Sequence, residues 1–300
     1  MQAEKIPYVF IMGLAHCGST LLTFLVNAHP EIASVGEIER LRLFIPDSWS
    51  RKTDGCSCGR SFYACPFWNR ALAGFAARGH GFDKIDYFNY TPPQKQIADE
   101  KLKAFVEAVL DVTGKRVFLD ASKQPALIEP LFANPYLDVR VINLYRDARA
   151  SINAWLKDLN PEASHLSARA NRLENVLFRT FHAWRVIRSW RQKERERQAV
   201  LASLPVERVL SVKYETLAAA PRETMEKIFA FLGVEAGQGT VEGFKSSVEH
   251  HIIGNPMRIS GQERIVVDES WRTEMQANTL HLFRLLGGER LNREMGYDND

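Results

Sequence analysis

The stretch YVFIMGLAHCGST, residues 8–20, decides the fold of this chain. Its first five residues are apolar and rich in aromatic and β-branched side chains, which predicts a buried strand that stops before Gly13. Residues 19–27 then predict a helix, which His29-Pro30 closes. A strand, a glycine loop and a helix in this order form the opening unit of a parallel α/β sheet.

The loop of this unit is a candidate anion site. Gly13 and Gly18 let backbone N–H groups approach an anion, the following helix adds a favourable dipole, and the Ser19 and Thr20 hydroxyls can donate. The spacing resembles the nucleotide-binding pattern G-x-x-x-x-G-K-[ST], but Ser19 stands where that pattern has its lysine. Because the lysine neutralises phosphate charge during phosphoryl transfer, its replacement disfavours a kinase or triphosphate hydrolase.

The alternation of strands and helices returns along the rest of the chain. Predicted strands are 116–120, 139–145 and 209–212, and predicted helices are 125–132, 147–155 and 221–232. A long helix is predicted over about 165–203, with charges of both signs in a solvent-facing tail at 191–197. Its apolar positions at helical spacing are Leu173, Val176, Leu177, Phe181, Trp184 and Ile187.

We therefore predict an α/β fold with a central parallel sheet flanked by helices, in a single domain covering residues 1–300. An insertion at about 46–93 is poor in helix and strand pattern and is expected to lie over the rim of the sheet. The long helix could pack within the chain or form the face of a homodimer, and the sequence leaves both open.

Composition excludes several classes of protein. With 45% hydrophobic and 25% charged residues, the 300-residue chain is neither disordered nor a collagen or coiled coil. Lys+Arg 39 against Asp+Glu 36 gives a net charge of only +3, so no dedicated nucleic-acid binder is expected. The sequence shows neither a signal peptide nor an apolar run of about 18 residues, which predicts a cytoplasmic chain with no membrane span.

The loop, together with His29-Pro30 and Gly36-Glu37, resembles the 5′-phosphosulfate loop of sulfotransferases that use 3′-phosphoadenosine 5′-phosphosulfate (PAPS). Arg146-Asp147, which follows the strand at 139–145, resembles the 3′-phosphate motif of that family. An arginine at the end of a strand suits bidentate recognition of a phosphate. Further similar segments, in the order of the family, are Tyr214-Glu-x-Leu217 with Pro221 and Phe231-Leu-Gly233, and Gly254–Arg258 with Asp268–Trp271.

The resemblance implies a P-loop-like sulfotransferase fold and a set of residues that bind PAPS. The matched tyrosine, Tyr214, borders the adenine in that family, although a tyrosine at the end of a strand also suits core packing. Ala154 stands where the family usually has a serine, so Ser151 is the candidate replacement, and Arg258 belongs to a late loop over the 3′-phosphate. The implied binding residues are Ala15, His16, Cys17, Gly18, Ser19, Thr20, Arg146, Ser151, Tyr214 and Arg258.

The resemblance also implies three catalytic residues and no requirement for a metal ion. Glu37 matches the general base of the tyrosylprotein branch, although a carboxylate paired with Arg40 at a helix start is an alternative, and Glu39 is a nearby competitor. Lys123 matches a lysine that stabilises charge on the leaving group, with a solvated loop lysine as the alternative.

His16 and Cys17 depart from the residues that the family usually carries. The family mostly has arginine or lysine at the position of His16, and an adjacent anion would favour the charged imidazole. We therefore predict that His16 acts as a hydrogen-bond donor or an acid to the bridging oxygen. Cys17 takes the position of a serine and is expected to pack rather than react. A helix N-terminus could nevertheless lower the pKa of its thiol and make it sensitive to alkylation.

The expected function is transfer of a sulfuryl group from PAPS to an acceptor hydroxyl. The acceptor could be a small molecule, a carbohydrate, a lipid or a peptide tyrosine, and the motif context is closest to the tyrosylprotein and carbohydrate branch. Two alternatives remain: a P-loop kinase or nucleotide hydrolase, and a catalytically inactive nucleotide-binding protein, which Ala154 and His16 would favour.

Three of the four cysteines, Cys56, Cys58 and Cys65, lie in the insertion. A Cys-x-Cys pair plus one further cysteine falls short of the pattern of a zinc ribbon, and no fourth ligand is evident, since His80 is remote in sequence. A metal site, a disulfide and reduced packing cysteines therefore all stay open. Phe62, Tyr63, Phe67 and Trp68 are expected to anchor the loop rather than line an acceptor pocket.

Overall fold

The opening strand and helix lie where the sequence predicts them. In the computed structural model, β1 (Ile6–Met12) leads through the glycine loop into α1 (Ser19–Asn27). The structure describes residues 4–44, 55–81, 94–159, 172–235, 241–242, 244, 250–252 and 264–297.

β1 is the central strand of a parallel sheet. In the described part of the chain the sheet has five strands in the order β2-β3-β1-β4-β5, and every neighbouring pair is parallel. The other strands are β2 (Ile32–Ser34), β3 (Val117–Lys123), β4 (Leu137–Tyr145) and β5 (Val209–Lys213). The sequence predicts all of these strands except β2, because three residues are too few to show a period. Since all the strands run the same way, their carboxyl ends meet at one edge.

Alternating residues of β1 point to two different apolar cores. Val9 and Ile11 are buried against α1 and against α7 (Tyr214–Ala219) and α8 (Pro221–Leu232). Tyr8 and Phe10 face α2 (Pro66–Ala77) and α3 (Gln94–Thr113) on the other side. A strand covered on both faces explains why residues 8–12 form an unbroken apolar run.

The remaining helices follow the strand ends. A 3-10 turn at Pro125–Leu127 precedes α4 (Ile128–Phe132), and α5 (Ala148–Asp158) begins at Asp147, whose carboxylate accepts a bond from the Arg149 N–H as predicted for a cap. A third apolar cluster joins α5 and α6 to the C-terminal helices. Those elements are α6 (Arg172–Ser203), α9 (Trp271–Glu274), α10 (Ala277–Leu285) and α11 (Gly288–Glu294).

The described part of the insertion contradicts its predicted lack of helix. α2 is a twelve-residue helix with Pro66 at its start, and it packs on α3 through Trp68 and Phe75. Proline before apolar residues one helical turn apart is a helix signal that the pattern contained. Of the four aromatic residues, only Tyr63 is exposed, so the prediction of an anchored loop is confirmed for Phe62, Phe67 and Trp68.

α6 buries only part of the predicted apolar face, in which Ile187 is fully buried as predicted. Leu177 and Phe181 are 62% and 53% exposed, whereas Trp190 is buried. The predicted solvent-facing tail contains a buried ion pair between Glu194 and Arg197, and Arg197 also donates to Asn143 on β4. Charged groups can be buried when they satisfy each other, which a charge pattern alone does not reveal. Among the described helices, none combines the length and apolar character required to cross a bilayer.

Candidate active site

Four neighbouring strands deliver the predicted site residues to one edge of the sheet. The glycine loop follows β1, Glu37 follows β2, Lys123 ends β3 and Arg146 follows β4. The Gly13 N–H donates to the Lys123 carbonyl at 3.1 Å, and Arg146 Nη1 donates to the His16 carbonyl at 3.1 Å, so the loop is bonded to both adjacent strands. The edge therefore brings together residues that lie far apart in the chain.

Both glycines of the loop are sterically required. A Cβ at Gly13 would lie 2.7 Å from the Leu144 carbonyl oxygen and 2.8 Å from Cys17 Sγ. Gly18 has φ +92°, and its Cβ would lie 2.3 Å from Cδ2 of Tyr214. Gly18 is also the N-cap of α1 and supplies no side-chain acceptor there. The start of α1 is therefore arranged as the N-terminus of an anion-binding helix.

His16 and Lys123 share an unusual backbone conformation. Their φ angles are +62° and +70°, and among the described residues they are the only non-glycine positions with a positive φ. Such conformations cost about 1–3 kcal/mol each and concentrate at functional sites. Both residues were predicted as catalytic, so the strain coincides with the chemistry that the sequence suggests.

His16 lies close to one acidic and two basic side chains. Its Nε2 lies 3.4 Å from Asp158 Oδ2 at the end of α5. Burial is the main cause that lowers the pKa of His16, and the charges of Lys123 and Arg146 lower it further, while Asp158 opposes them. The same arrangement of positive charge makes the position favourable for an anion, whose arrival would raise this pKa.

Glu37 and Lys123 are in direct contact. Lys123 Nζ donates to Glu37 Oε1, and Arg40 Nε lies 3.0 Å from Glu37 Oε2. Glu37 is only 7% exposed, and a buried carboxylate needs cationic partners to offset its loss of water. Lys123 and Arg40 are these partners. Glu37, the predicted general base, is thus also paired with Arg40, so the alternative role of this carboxylate is present as well. Lys123 is not a solvated loop lysine.

Asp120 lies on β3 near the Glu37–Lys123 pair and was not among the predicted site residues. It is fully buried, and it accepts hydrogen bonds from the Tyr8 hydroxyl at 2.9 Å and from the Ser122 hydroxyl at 2.5 Å. Ser122 Oγ in turn accepts from the Glu39 N–H at 3.1 Å, which links β3 to the turn that carries Glu37. Burial raises the pKa of Asp120 to about 6. The signal that could have identified Asp120 in the sequence is a carboxylate within an otherwise apolar strand.

Arg146 is paired with the segment ahead of α9. Its Nη2 donates to the carbonyl and to Oδ2 of Asp268, both at 2.8 Å, and these contacts hold the pKa of Asp268 at about 2 despite the opposing effect of its burial. Arg146 Nε is buried and has no hydrogen-bond partner among the described residues. A buried guanidinium N–H without an acceptor marks a position that an anion can fill.

Tyr214 lies between Arg146 and the glycine loop. The Arg146 guanidinium carbon is 4.3 Å from the centre of the Tyr214 ring, and the ring edge covers Gly18. Its hydroxyl donates to the Val266 carbonyl at 3.4 Å and accepts from the Asp268 N–H at 3.3 Å. The ring thus supports the arginine and the loop together.

The other predicted binding residues differ in their surroundings. Ala15 is exposed, whereas Ser151 is buried in the first turns of α5 and Ala154 is half-buried one turn further on. Cys17 is buried in the apolar core, as expected for a residue that packs, and burial raises the pKa of its thiol, which contradicts the suggested lowered pKa. Arg258 lies outside the described residues.

This parallel sheet has a glycine loop at its central strand and an arginine after the neighbouring strand, an arrangement typical of α/β proteins that bind phosphate groups at their strand ends. A family model described as the sulfotransferase family matches residues 7–238. The chain therefore belongs to the sulfotransferase family and is a transferase enzyme.

Known relatives and structures agree with this assignment. A Caenorhabditis briggsae relative with the provisional name protein-tyrosine sulfotransferase is 22% identical over 257 residues, which cover 85% of this chain and 73% of the relative. The chicken protein-tyrosine sulfotransferase 2 is 20% identical over 86% of this chain, and the match spans 58% of that protein. The sulfotransferase domain of the Synechococcus olefin synthase superposes with a TM-score of 0.58 and 19% identity, over 99% of this chain and 98% of that domain. The predicted fold is thereby confirmed.

Proposed function

We propose that this sulfotransferase moves the sulfuryl group of PAPS to an acceptor hydroxyl, with Glu37 as the general base. The observation that carries the proposal is the contact between Glu37 and Lys123 beside the glycine loop. A base for the acceptor and a cation for the leaving group are the two elements that sulfuryl transfer requires. Glu37 follows β2 and Lys123 ends β3, so both side chains lie at the sheet edge that also carries the glycine loop, which supports these roles.

The residues present fit a nucleotide that carries two phosphate groups. The start of α1 and the backbone of the loop suit the 5′-phosphosulfate, and the unpartnered Nε of Arg146 suits the 3′-phosphate. Asp268 Oδ2 accepts a hydrogen bond from Arg146 Nη2, and a phosphate would compete with this carboxylate for the guanidinium. Tyr214 is positioned to border the nucleotide because its ring lies against both Gly18 and Arg146.

PAPS supplies an activated sulfuryl group, and this chain supplies the proton transfer and the charge stabilisation. Glu37 would accept the acceptor's proton as the new oxygen–sulfur bond forms and the bond from sulfur to the phosphate oxygen breaks. Lys123 would stabilise the negative charge that develops on that phosphate oxygen, with His16 as a second donor. Positive φ at both His16 and Lys123 is consistent with backbone held for this purpose.

A peptide tyrosine is the first acceptor to test. The two sequence relatives carry the name protein-tyrosine sulfotransferase, although they share only 22% and 20% of the aligned residues with this chain. A simple phenol and a carbohydrate hydroxyl belong in the same panel, because a carboxylate base does not distinguish among hydroxyl acceptors.

Thermal unfolding with 3′,5′-adenosine bisphosphate tests the nucleotide assignment. A ligand that binds only the native state stabilises it by about 2.7 kcal/mol at a hundredfold excess over Kd, so the midpoint should rise. Arg146→Ala should remove this shift. Arg140→Ala is the matched control because Arg140 lies on β4, the strand that Arg146 follows, and donates to the Phe231 carbonyl, away from the carboxyl end of that strand.

Transfer of radioactive sulfate from PAPS to the acceptor panel then tests the reaction. A shift with magnesium–ATP and none with the bisphosphate would contradict the proposal in favour of a P-loop kinase or hydrolase. A bisphosphate shift with no transfer to any acceptor of the panel would favour an inactive nucleotide-binding protein.

A further inference from the structure

Three cysteines of the insertion meet a histidine from a distant part of the chain. Cys56, Cys58 and Cys65 lie around the turn before α2, and His250 comes 185 residues after Cys65. The four ligand atoms all lie within 4.8 Å of one another. All the cysteines are free thiols, and the fourth ligand that the sequence did not show is His250 rather than His80, whose ring lies against Phe75.

Three distances within this cluster match those of a tetrahedral metal site. Zinc bonds of about 2.3 Å to sulfur and about 2.0 Å to nitrogen place two sulfurs roughly 3.7 Å apart and a sulfur and a nitrogen roughly 3.5 Å apart. Cys58 Sγ lies 3.7 Å from Cys65 Sγ. His250 Nδ1 lies 3.5 Å from Cys56 Sγ and 3.3 Å from Cys65 Sγ. A disulfide would need about 2.05 Å between sulfurs.

We propose that Cys56, Cys58, Cys65 and His250 bind one structural zinc ion. Three thiolates and an imidazole in tetrahedral array are a ligand set that Zn²⁺ prefers. Because the protein provides all four ligands, the ion has no open position for substrate, which is typical of a structural rather than a catalytic zinc site.

Groups around the cluster already orient the ligands. The backbone N–H groups of Cys58 and Arg60 donate to the sulfurs of Cys56 and Cys58 respectively. The ring of Phe67 stacks on His250, with centroids 4.4 Å apart and planes inclined by 1°. Such neighbours fix the direction of each ligand and are typical of the surroundings of a metal site.

Nearby charge also suits the complex. Three thiolates and one Zn²⁺ leave one negative charge in excess, and the positive charges of Arg60 and Arg70 act on Cys58 and His250. Cys65 is moreover the N-cap residue of α2, so the cluster adjoins the N-terminus of that helix, where the dipole favours a complex of negative charge.

The zinc ion would join the insertion to the helix that follows the glycine loop. Next to His250, His251 exchanges two hydrogen bonds with Ser57, at 2.8 Å and 3.0 Å. The His251 ring also stacks on Phe24 of α1, with centroids 4.9 Å apart. The ion would thus tie the cysteine turn to a segment that rests on α1.

Elemental analysis of the full chain, purified without a histidine tag under reducing conditions with zinc in the growth medium, tests the site. We expect about one zinc ion per chain, falling below about a tenth in Cys58→Ser and His250→Ala. His250→Cys should retain the ion as a four-thiolate site. Cys17→Ser and His80→Ala are the matched controls that should keep the full zinc content.

Cobalt(II) added to the demetallated parent chain provides a measurement that does not depend on the folding of a variant. We expect the visible absorption bands of tetrahedral cobalt bound to thiolates, at one equivalent, and their loss when zinc is added. Zinc below about a fifth of an equivalent without these cobalt bands would overturn the proposal. Full zinc retention in both ligand variants, or a disulfide among these cysteines in the reduced preparation, would overturn it as well.

Discussion

The two halves of the candidate site pair their charges in different ways. On the base side, defined by Glu37, Lys123 and Asp120, every residue lies on a strand or within three residues of its carboxyl end and is largely buried. Arg40, the second partner of Glu37, is 47% exposed, but the Lys123 side chain in contact with Glu37 is only 18% exposed. On the arginine side, defined by Arg146, Asp268 and Tyr214, the Arg146 side chain is buried but its acidic partner is 48% exposed. Only the base side is thus built from neighbouring strand ends alone.

The difference indicates which pair is permanent and which can be exchanged. A buried pair between rigid strand ends keeps its geometry, which suits residues that must act on a reacting group. An exposed aspartate in an ion pair competes with water and with other anions, so a phosphate can replace it at modest cost. We therefore expect the base side to set the rate and the arginine side to set the affinity for the nucleotide.

The largest effect is expected for Glu37→Gln. Removal of a general base typically slows a reaction by about 10²–10⁴-fold, so kcat for sulfate transfer should fall in this range. Binding of the bisphosphate should persist, because Glu37 belongs to the base side. The measurement is steady-state transfer of radioactive sulfate together with the thermal shift.

Glu39→Gln is the matched control for this prediction. Glu39 lies two positions after Glu37, in the 3-10 helix Ile38–Phe44, and its N–H bond to Ser122 does not involve its side chain. An equal loss of kcat in both variants, or a Glu37→Gln variant within twofold of the parent, would exclude Glu37 as the base.

Gly18→Ala should disrupt the packing of Tyr214, which belongs to the arginine side. The new Cβ would meet the Tyr214 ring at 2.3 Å at a φ of +92°. Overpacking and the positive φ together should lower the free energy of unfolding by about 2–5 kcal/mol. Urea denaturation measures this, with Gly79→Ala as control.

Gly79 also has a positive φ, of +81°, but a Cβ there meets nothing within 4 Å. This variant should therefore lose only about 1–2 kcal/mol. Equal losses in the two variants would show that the contact between Gly18 and Tyr214 is unimportant.

Asp120→Asn should change how the stability depends on pH. The folded chain holds the proton of Asp120 up to a pKa of about 6, above the value of about 3.8 expected when unfolded, so deprotonation favours unfolding. As the pH rises from 4 to 6, deprotonation of Asp120 alone should lower the free energy of unfolding of the parent by about 3 kcal/mol. Above pH 6 this loss should stay constant. Urea denaturation across the window should show that Asp120→Asn gains stability relative to the parent as the pH rises. Parallel curves would contradict the raised pKa.

The smallest effect is expected for Asp268→Asn. Without its charge the residue competes less with a phosphate for Arg146, so the bisphosphate should bind about two- to fivefold more tightly. Isothermal titration measures the affinity. Glu269→Gln, next to Asp268 and paired with Arg272, should leave the affinity unchanged. Weaker binding by Asp268→Asn would mean that the Arg146–Asp268 pair forms part of the nucleotide site.

The position of a site residue could be predicted from the sequence when its neighbours in the chain form a recognisable local pattern, and not when it depends on a distant contact. The glycine loop, Lys123 and Arg146 could be placed because each follows an apolar strand, and strand ends meet at one edge of a parallel sheet. Asp158, the partner of His16, could not be placed because its contact joins α5 to the loop across more than a hundred residues. The single-domain organisation and the role of each site residue stay predictions.

The sequence by itself determined the α/β fold and the glycine loop, because periodicity and caps act within a few residues. The candidate base Glu37 was implied by the resemblance to the sulfotransferase family rather than by these local patterns. Only the tertiary structure decided that Arg146 pairs with Asp268 and that His250 completes the cysteine cluster. These contacts join segments more than a hundred residues apart, and their geometry depends on the packing of the intervening sheet and helices. Local patterns carry no record of such packing, since many sequences produce the same helix or strand in different surroundings.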